Sequence, residues 1–309
     1  MARSDIRLRI GTRGSPLALW QARETRARLI AAHGLPDEAV TLVVIKTSGD
    51  MIQDRALALA GGKGLFTKEI DTALMAGEID LAVHSAKDMP TAFPDPIIIA
   101  GYLPREDVRD ALIATGPGDL AGLRHGAVVG TASLRRQALV RRLRPDITTG
   151  LLRGNVETRL RKVQEGEFDA TLLALAGLKR LGLADRATAI LPEDGFPPAI
   201  GQGAIAITAR HADETTRMAI DAIADPVTGI ALAAERAFLT VLDGSCRTPI
   251  AGHAKLDGAT LRFSGLVLRV DGSESYGAER SGTAADAARM GEDAGRDILG
   301  RAPADILAH

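Results

Sequence analysis

Ile10-Gly11-Thr12-Arg13-Gly14-Ser15-Pro16-Leu17 is a junction between two periodicities. Residues 6–10 are apolar and β-branched and read as a strand, whereas residues 17–30 read as a helix. Ser15 is a favoured N-cap, and Pro16 suits the first helical position because the missing N–H has no partner there anyway. Residues 40–45 read as the next strand. Strand, helix and strand in this order predict a parallel pair with a crossover helix, hence an α/β fold.

The alternation continues outward from this junction. Strands are expected at 80–83, 97–102, 127–129, 148–152 and 170–174, with helices at 68–75, 134–143, 156–164 and 178–183. Breaks fall near Pro104-Arg105-Glu106-Asp107 and at Phe196-Pro197-Pro198-Ala199-Ile200-Gly201-Gln202-Gly203. A strand at 204–208 follows the second break and is expected to return to the first domain, which makes the second domain an insertion. Beyond about 225 the pattern becomes a helix (230–239), strands at 251–255, 261–270 and 275–279, and a last helix at 284–299, the signature of a small α+β domain. The expected domains are 1–103 with 204–222, then 104–203, then 223–309.

A chain of 309 residues can bury a large core. Aromatic residues make up only 3%, which leaves little stacking surface for single-stranded nucleic acid. No apolar run reaches membrane-span length, and no signal-like stretch opens the chain. With a single cysteine, this predicts a reducing, cytoplasmic setting without membrane or nucleic-acid partners. The six histidines show no zinc spacing, so no metal is expected. Net charge is −1, but residues 131–162 hold nine Lys/Arg against two acids. A basic middle in a neutral chain suggests a confined site for a small polyanion.

Several strand-to-helix loops carry cations. Arg13 stands beside a helix N-terminus, which attracts anions. Gly130-Thr131-Ala132-Ser133-Leu134-Arg135-Arg136 puts two hydroxyls before a helix and two arginines in its first turn, where they oppose the helix dipole. Such placement suggests use on a ligand's carboxylate or phosphate; a solvated basic face is the plainer alternative. Arg153, Arg159 and Arg180 follow further strands, and loops of this kind converge at the carboxyl edge of open α/β sheets. Asp88 precedes Pro90 at the end of another strand. It is either a turn residue or a carboxylate that stabilises a cation and relays protons. His84 reads as packing. Gly61-Gly62-Lys63-Gly64 lacks the residues of a P-loop and fits a lid bearing one cation. Cys246, in Asp243-Gly244-Ser245-Cys246-Arg247, is open to two readings, a packed thiol or single-thiol chemistry favoured by the adjacent cation.

Taken together, six segments resemble the porphobilinogen deaminase family. They are Gly-Thr-Arg-Gly-Ser-Pro-Leu-Ala-Leu-Trp-Gln-Ala (11–22), Gly-Gly-Lys-Gly-Leu-Phe-Thr-Lys-Glu (61–69), Ala-Val-His-Ser-Ala-Lys-Asp-Met-Pro (82–90), Gly-Thr-Ala-Ser-Leu-Arg-Arg-Gln (130–137), Leu-Arg-Gly-Asn-Val (152–156) and Gly-Ser-Cys-Arg-Thr-Pro (244–249). The resemblance implies two domains like those of periplasmic binding proteins, with mixed, mainly parallel sheets, plus a small C-terminal α+β domain. It implies head-to-tail condensation of four porphobilinogen molecules to hydroxymethylbilane, with loss of ammonia, on a dipyrromethane cofactor held by a thioether to Cys246.

By the same resemblance Asp88 is the essential aspartate. Arg13, Ser15, Ser85, Lys87, Thr131, Ser133, Arg135, Arg136, Arg153, Arg159 and Arg180 match the carboxylate-binding positions. Gln21, Lys63, Phe66 and Gln202 also fall on motif positions. A monomer is expected. Many members carry a lysine where this chain has Leu59, so the lid supplies one cation fewer. The rival class is a cytosolic anion-binding sensor of the same two-lobed fold. Such a module has no need of Asp88 or of the Cys246 turn, and would ordinarily be joined to a DNA-binding helix-turn-helix.

Overall fold

The structure, a computed structural model, describes residues 6–51, 65–116, 118–243 and 248–306. Lys63, Cys246 and the Gly-Gly-Lys-Gly segment lie outside the described residues, as does Leu59. In chain order the first elements are β1 (Leu8–Thr12), α1 (Pro16–His33), β2 (Val40–Val44), α2 (Ser48–Met51), α3 (Lys68–Met75), β3 (Leu81–Ser85) and β4 (Ile97–Tyr102). There follow β5 (Asp110–Ala114), β6 (Val128–Gly130), α4 (Leu134–Leu143), β7 (Thr148–Gly150), α5 (Val156–Gln164), β8 (Ala170–Ala174), α6 (Leu175–Arg180) and β9 (Ala189–Ile190). The chain ends with β10 (Ile205–Arg210), α7 (Glu214–Asp221), α8 (Pro226–Val241), β11 (Ile250–Asp257), β12 (Thr260–Leu268), β13 (Ser275–Gly282) and α9 (Ala287–Arg301).

The described residues fall into two compact units, one from residues 6–51, 65–106 and 204–229, the other from 107–203 and 230–306. The first contains a sheet of order β2-β1-β3-β10-β4. β1 pairs in parallel with β2 and β3, while β10 enters antiparallel between β3 and β4. Four of the five strands therefore run the same way. Helices cover both faces, so strands such as β3 are buried on both sides. Leu8, Ile10, Leu29, Val83 and Ile207 fill one core, and Ile70, Leu74, Ile79 and Ala82 the other.

The second unit repeats the plan with the order β7-β6-β8-β5-β9. β6 is parallel to β7 and β8, and β5 is antiparallel to β8 and β9. It also holds the antiparallel meander β11-β12-β13, with α9 packed on it. Phe238 and Phe263 meet edge to face there, with centroids 5.1 Å apart. The fold is thus α/β with two mixed, mainly parallel sheets and a C-terminal sheet-plus-helix layer.

Four elements were not expected from sequence, among them the single turn α2. β5 follows a charged run that reads as a break, α7 is a mostly polar helix, and β9 is two residues long. In addition, the strand expected at 148–152 stops at Gly150, because the chain leaves the sheet edge before Leu152 turns into a core.

Candidate active site

The first unit's cleft is built from three chain segments. β1 ends at Thr12, and Ser15 caps α1 by accepting a hydrogen bond from the Ala18 amide at 3.3 Å. The chain then presents Arg13 beside the helix start. β3 ends at Ser85 and passes into a 3-10 turn, Ala86–Asp88, anchored where the Ala86 amide donates to Ala204 O. The third segment brings Phe66 and Thr67. Arg13, Ser15, Gln21, Phe66, Val83, His84, Ser85 and Asp88 are among the lining residues of a cleft with about 430 Å³ of empty space, counting the part open to solvent.

Side chains in this cleft hold one another in place. The buried Gln21 amide donates to Ser85 Oγ at 2.9 Å. The Arg13 guanidinium lies 4.2 Å from the Phe66 ring centroid, a cation–π contact. His84 is buried beside Thr208, its Nε2 3.4 Å from Oγ1. Burial, reinforced by the charge of Arg13, pushes its pKa down to about 4, so it is neutral at pH 7. Asp88 is exposed and Lys87 half-buried. The cleft thus brings one acid together with a cation, hydroxyls and an aromatic ring.

In the second unit the basic residues start from helix ends. Ser133 caps α4, accepting from the Arg136 amide at 3.4 Å, and the buried Thr131 hydroxyl accepts from the Ser133 amide at 3.2 Å. Arg135 and Arg136, expected to face a ligand, are 3% and 5% exposed and turn onto one carboxylate, Asp110. Gln202, fully buried, donates to the same carboxylate at 3.1 Å. Asn155 caps α5, and Arg159 Nε donates to Gly154 O at 2.9 Å. Arg180 Nη2 donates to Gly203 O at 2.6 Å. Arg153 is half-buried just ahead of α5.

One residue of this machinery, Asp110, has no place in the sequence reading. Asp110 stood at the head of an unrecognised strand, where a carboxylate opening an apolar run was the available signal. His84 was read as packing and does pack, yet it also lines the cleft. Among the described residues no group of three or more His, Cys, Asp or Glu side chains could hold a metal ion.

These features define an α/β protein with a cation-bearing cleft faced by an acid, chemistry suited to a small ligand rich in carboxylates. Residues 8–218 match the model of the porphobilinogen deaminase dipyromethane cofactor binding domain, and residues 230–300 that of the porphobilinogen deaminase C-terminal domain. The chain is 58% identical over 299 residues to the porphobilinogen deaminase of Nitrobacter winogradskyi, covering 97% of this chain and 95% of the relative. It is 54% identical over 300 residues to that of Paracoccus denitrificans, covering 97% and 96%. A periplasmic substrate-binding protein of an ABC transporter from Coxiella burnetii is a distant structural likeness, with 14% identity, 72% of this chain and 93% of that one covered, and a TM-score of 0.45.

The chain belongs to the porphobilinogen deaminase family, the hydroxymethylbilane synthases, which are transferases of porphyrin and heme biosynthesis with a dipyrromethane cofactor.

Proposed function

We propose that this enzyme condenses four porphobilinogen molecules head to tail, releasing ammonia at each step, on a dipyrromethane tethered through a thioether to Cys246, and that water then cleaves the bond between the new tetrapyrrole and the dipyrromethane to release hydroxymethylbilane. The observation that carries this reading is that Asp88 lines the same cleft as Arg13, Ser15, Gln21, Phe66 and Ser85. We assign residues 1–103 with 204–222, 104–203 and 223–309 to three domains, the last bearing Cys246. A cytoplasmic monomer is part of the same proposal. No helix among the described residues is long and apolar enough to cross a membrane.

The donor set fits the cofactor. A dipyrromethane carries four carboxylates, and Arg13, Ser15 and Ser85 supply a cation and hydroxyls suited to them. The Arg135–Arg136 pair shares one Asp110, so this buried group keeps a net positive charge. Arg135 Nε is buried and has no hydrogen-bond partner among the described residues. When bound, the dipyrromethane supplies the electron-rich pyrrole that accepts the next ring.

The protein's own residues do the rest. Arg13, Ser15 and Ser85, with Lys87, Thr131, Ser133, Arg153, Arg159 and Arg180, bind and orient acetate and propionate groups through charge-assisted hydrogen bonds, each about 1.5–3 kcal/mol. Phe66 holds the Arg13 guanidinium against its ring and so restricts where that cation sits in the cleft. Asp88 holds a carboxylate against the cation left when porphobilinogen loses ammonia. Its Oδ takes the proton released as the pyrrole regains aromaticity.

The test is intact mass of the denatured chain together with turnover. The wild type carries a mass adduct of two pyrrole units and converts porphobilinogen, whereas Asp88→Ala keeps the adduct and loses about 10²- to 10⁴-fold in turnover. A bare thiol in active enzyme, or near-normal turnover in Asp88→Ala, overturns the respective assignment.

A further inference from the structure

The buried polar cluster at the head of β5 is the observation that the family reaction leaves unassigned. Arg135 Nη2 donates to Asp110 Oδ2 at 2.8 Å. Arg136 donates to Oδ1 through Nη2 at 2.6 Å and Nε at 3.1 Å, and Gln202 Nε2 reaches the same oxygen at 3.1 Å. The remaining Nη1 donors go to backbone carbonyls, Arg135 to Pro197 O at 2.6 Å and Arg136 to Leu172 O at 2.8 Å. Asp110 is 0% exposed. Two guanidiniums and one carboxylate out of solvent leave a surplus positive charge, which a protein interior tolerates only when an anion answers it.

We propose that Asp110 is a positioning residue for carboxylate recognition: it fixes the forks of Arg135 and Arg136 and halves their charge, so that the pair answers one carboxylate of cofactor or substrate. The proposal rests on the reading of Arg135 and Arg136 as carboxylate binders. Asp110 is a stand-in anion of the kind the pair recognises. Gln202 adds a third donor to Oδ1 without adding charge. Arginine forks tolerate little misplacement in bidentate pairing, so their orientation must be set before the ligand arrives.

The test is a double-mutant cycle on Asp110→Asn and Arg136→Gln, read three ways: thermal unfolding, the share of denatured chains carrying the dipyrromethane mass, and KM for porphobilinogen on the loaded fraction. Asp110→Asn is expected to lower the share of loaded chains and to raise KM about tenfold, the loss of one charge-assisted hydrogen bond. The double variant is expected to be no worse loaded than Arg136→Gln alone, because the two residues act as one unit. It also removes the surplus charge that Asp110→Asn creates, and so reports even where that single variant does not fold. Full loading and unchanged KM in folded Asp110→Asn overturn the positioning role alone, as do losses that simply add in the double variant. Full loading and unchanged KM in Arg136→Gln overturn the carboxylate-binding reading itself.

Discussion

An acid sealed between two arginines and an acid exposed at a cleft wall meet different physics. Burial by itself would raise the pKa of Asp110, but the charges of Arg135 and Arg136 outweigh it and hold the carboxyl at about 2. Asp110 is therefore ionised throughout the working range, and the cluster does not titrate there. His84 is the opposite case. Its folded pKa of about 4 lies below the ordinary 6.5 because burial disfavours the cation. As pH falls from 6.5 toward 4 the unfolded chain takes the proton first, so stability is lost across that window, and the loss is complete below about 4. The shift corresponds to about 3 kcal/mol. Urea denaturation of the wild type at pH 7 and pH 4.5 should show this acid-side loss, and His84→Asn should flatten it. An unchanged slope in that variant would place the acid sensitivity elsewhere.

Among the elements, α4 depends on distant support. Its N-terminus holds Ser133 and the arginine pair, and its C-terminal half is braced by the β12–β13 hairpin. Arg141 donates to Val270 O at 3.2 Å, and Arg142 Nη1 donates to Ser275 Oγ. The hairpin tip passes so close that a Cβ on Gly272 would lie 2.6 Å from the Arg142 amide nitrogen and 2.7 Å from Ala138 O. Gly272 also sits at φ +79, a region that favours glycine. Gly272→Ala should cost about 1–3 kcal/mol in urea denaturation, since both clashing atoms are backbone. Gly258→Ala is the control: φ is +59 there, but nothing lies within 4 Å of the added carbon. Equal losses in the two variants would mean that the hairpin tip does not brace α4.

At the scale of the whole molecule, charge is neutral in sum and uneven in place. Net charge is −1, while residues 131–162 carry nine Lys/Arg against two acids. Attraction of a dicarboxylate substrate to such a stretch is screened by salt, with a Debye length of about 10 Å at 0.1 M. KM for porphobilinogen should rise about threefold or more between 50 mM and 500 mM NaCl with kcat little changed. A flat KM would show that recognition relies on close hydrogen bonds rather than on the field.

How much of this was legible in advance depends on the range of the forces involved. The strand–turn–helix junctions at Gly11, Gly130 and Arg153 were legible because caps, prolines and periodicity act over a few residues. Asp88, Arg13 and Ser15 were legible as parts of such junctions. β5 was less so, because its short apolar run follows a charged stretch that reads as a break, and its partners β8 and β9 lie far along the chain. The arginines of α4 looked like cations set against their own helix dipole in wait for a ligand. The carboxylate that offsets half of their charge, Asp110, lies 25 residues upstream of Arg135. Local sequence alone determined the α/β plan and the chemistry of the loops. Tertiary packing decided which of those charges close on one another and which stay open to a ligand, because pairing of buried charges is a matter of distance in space and dielectric, which chain order does not specify.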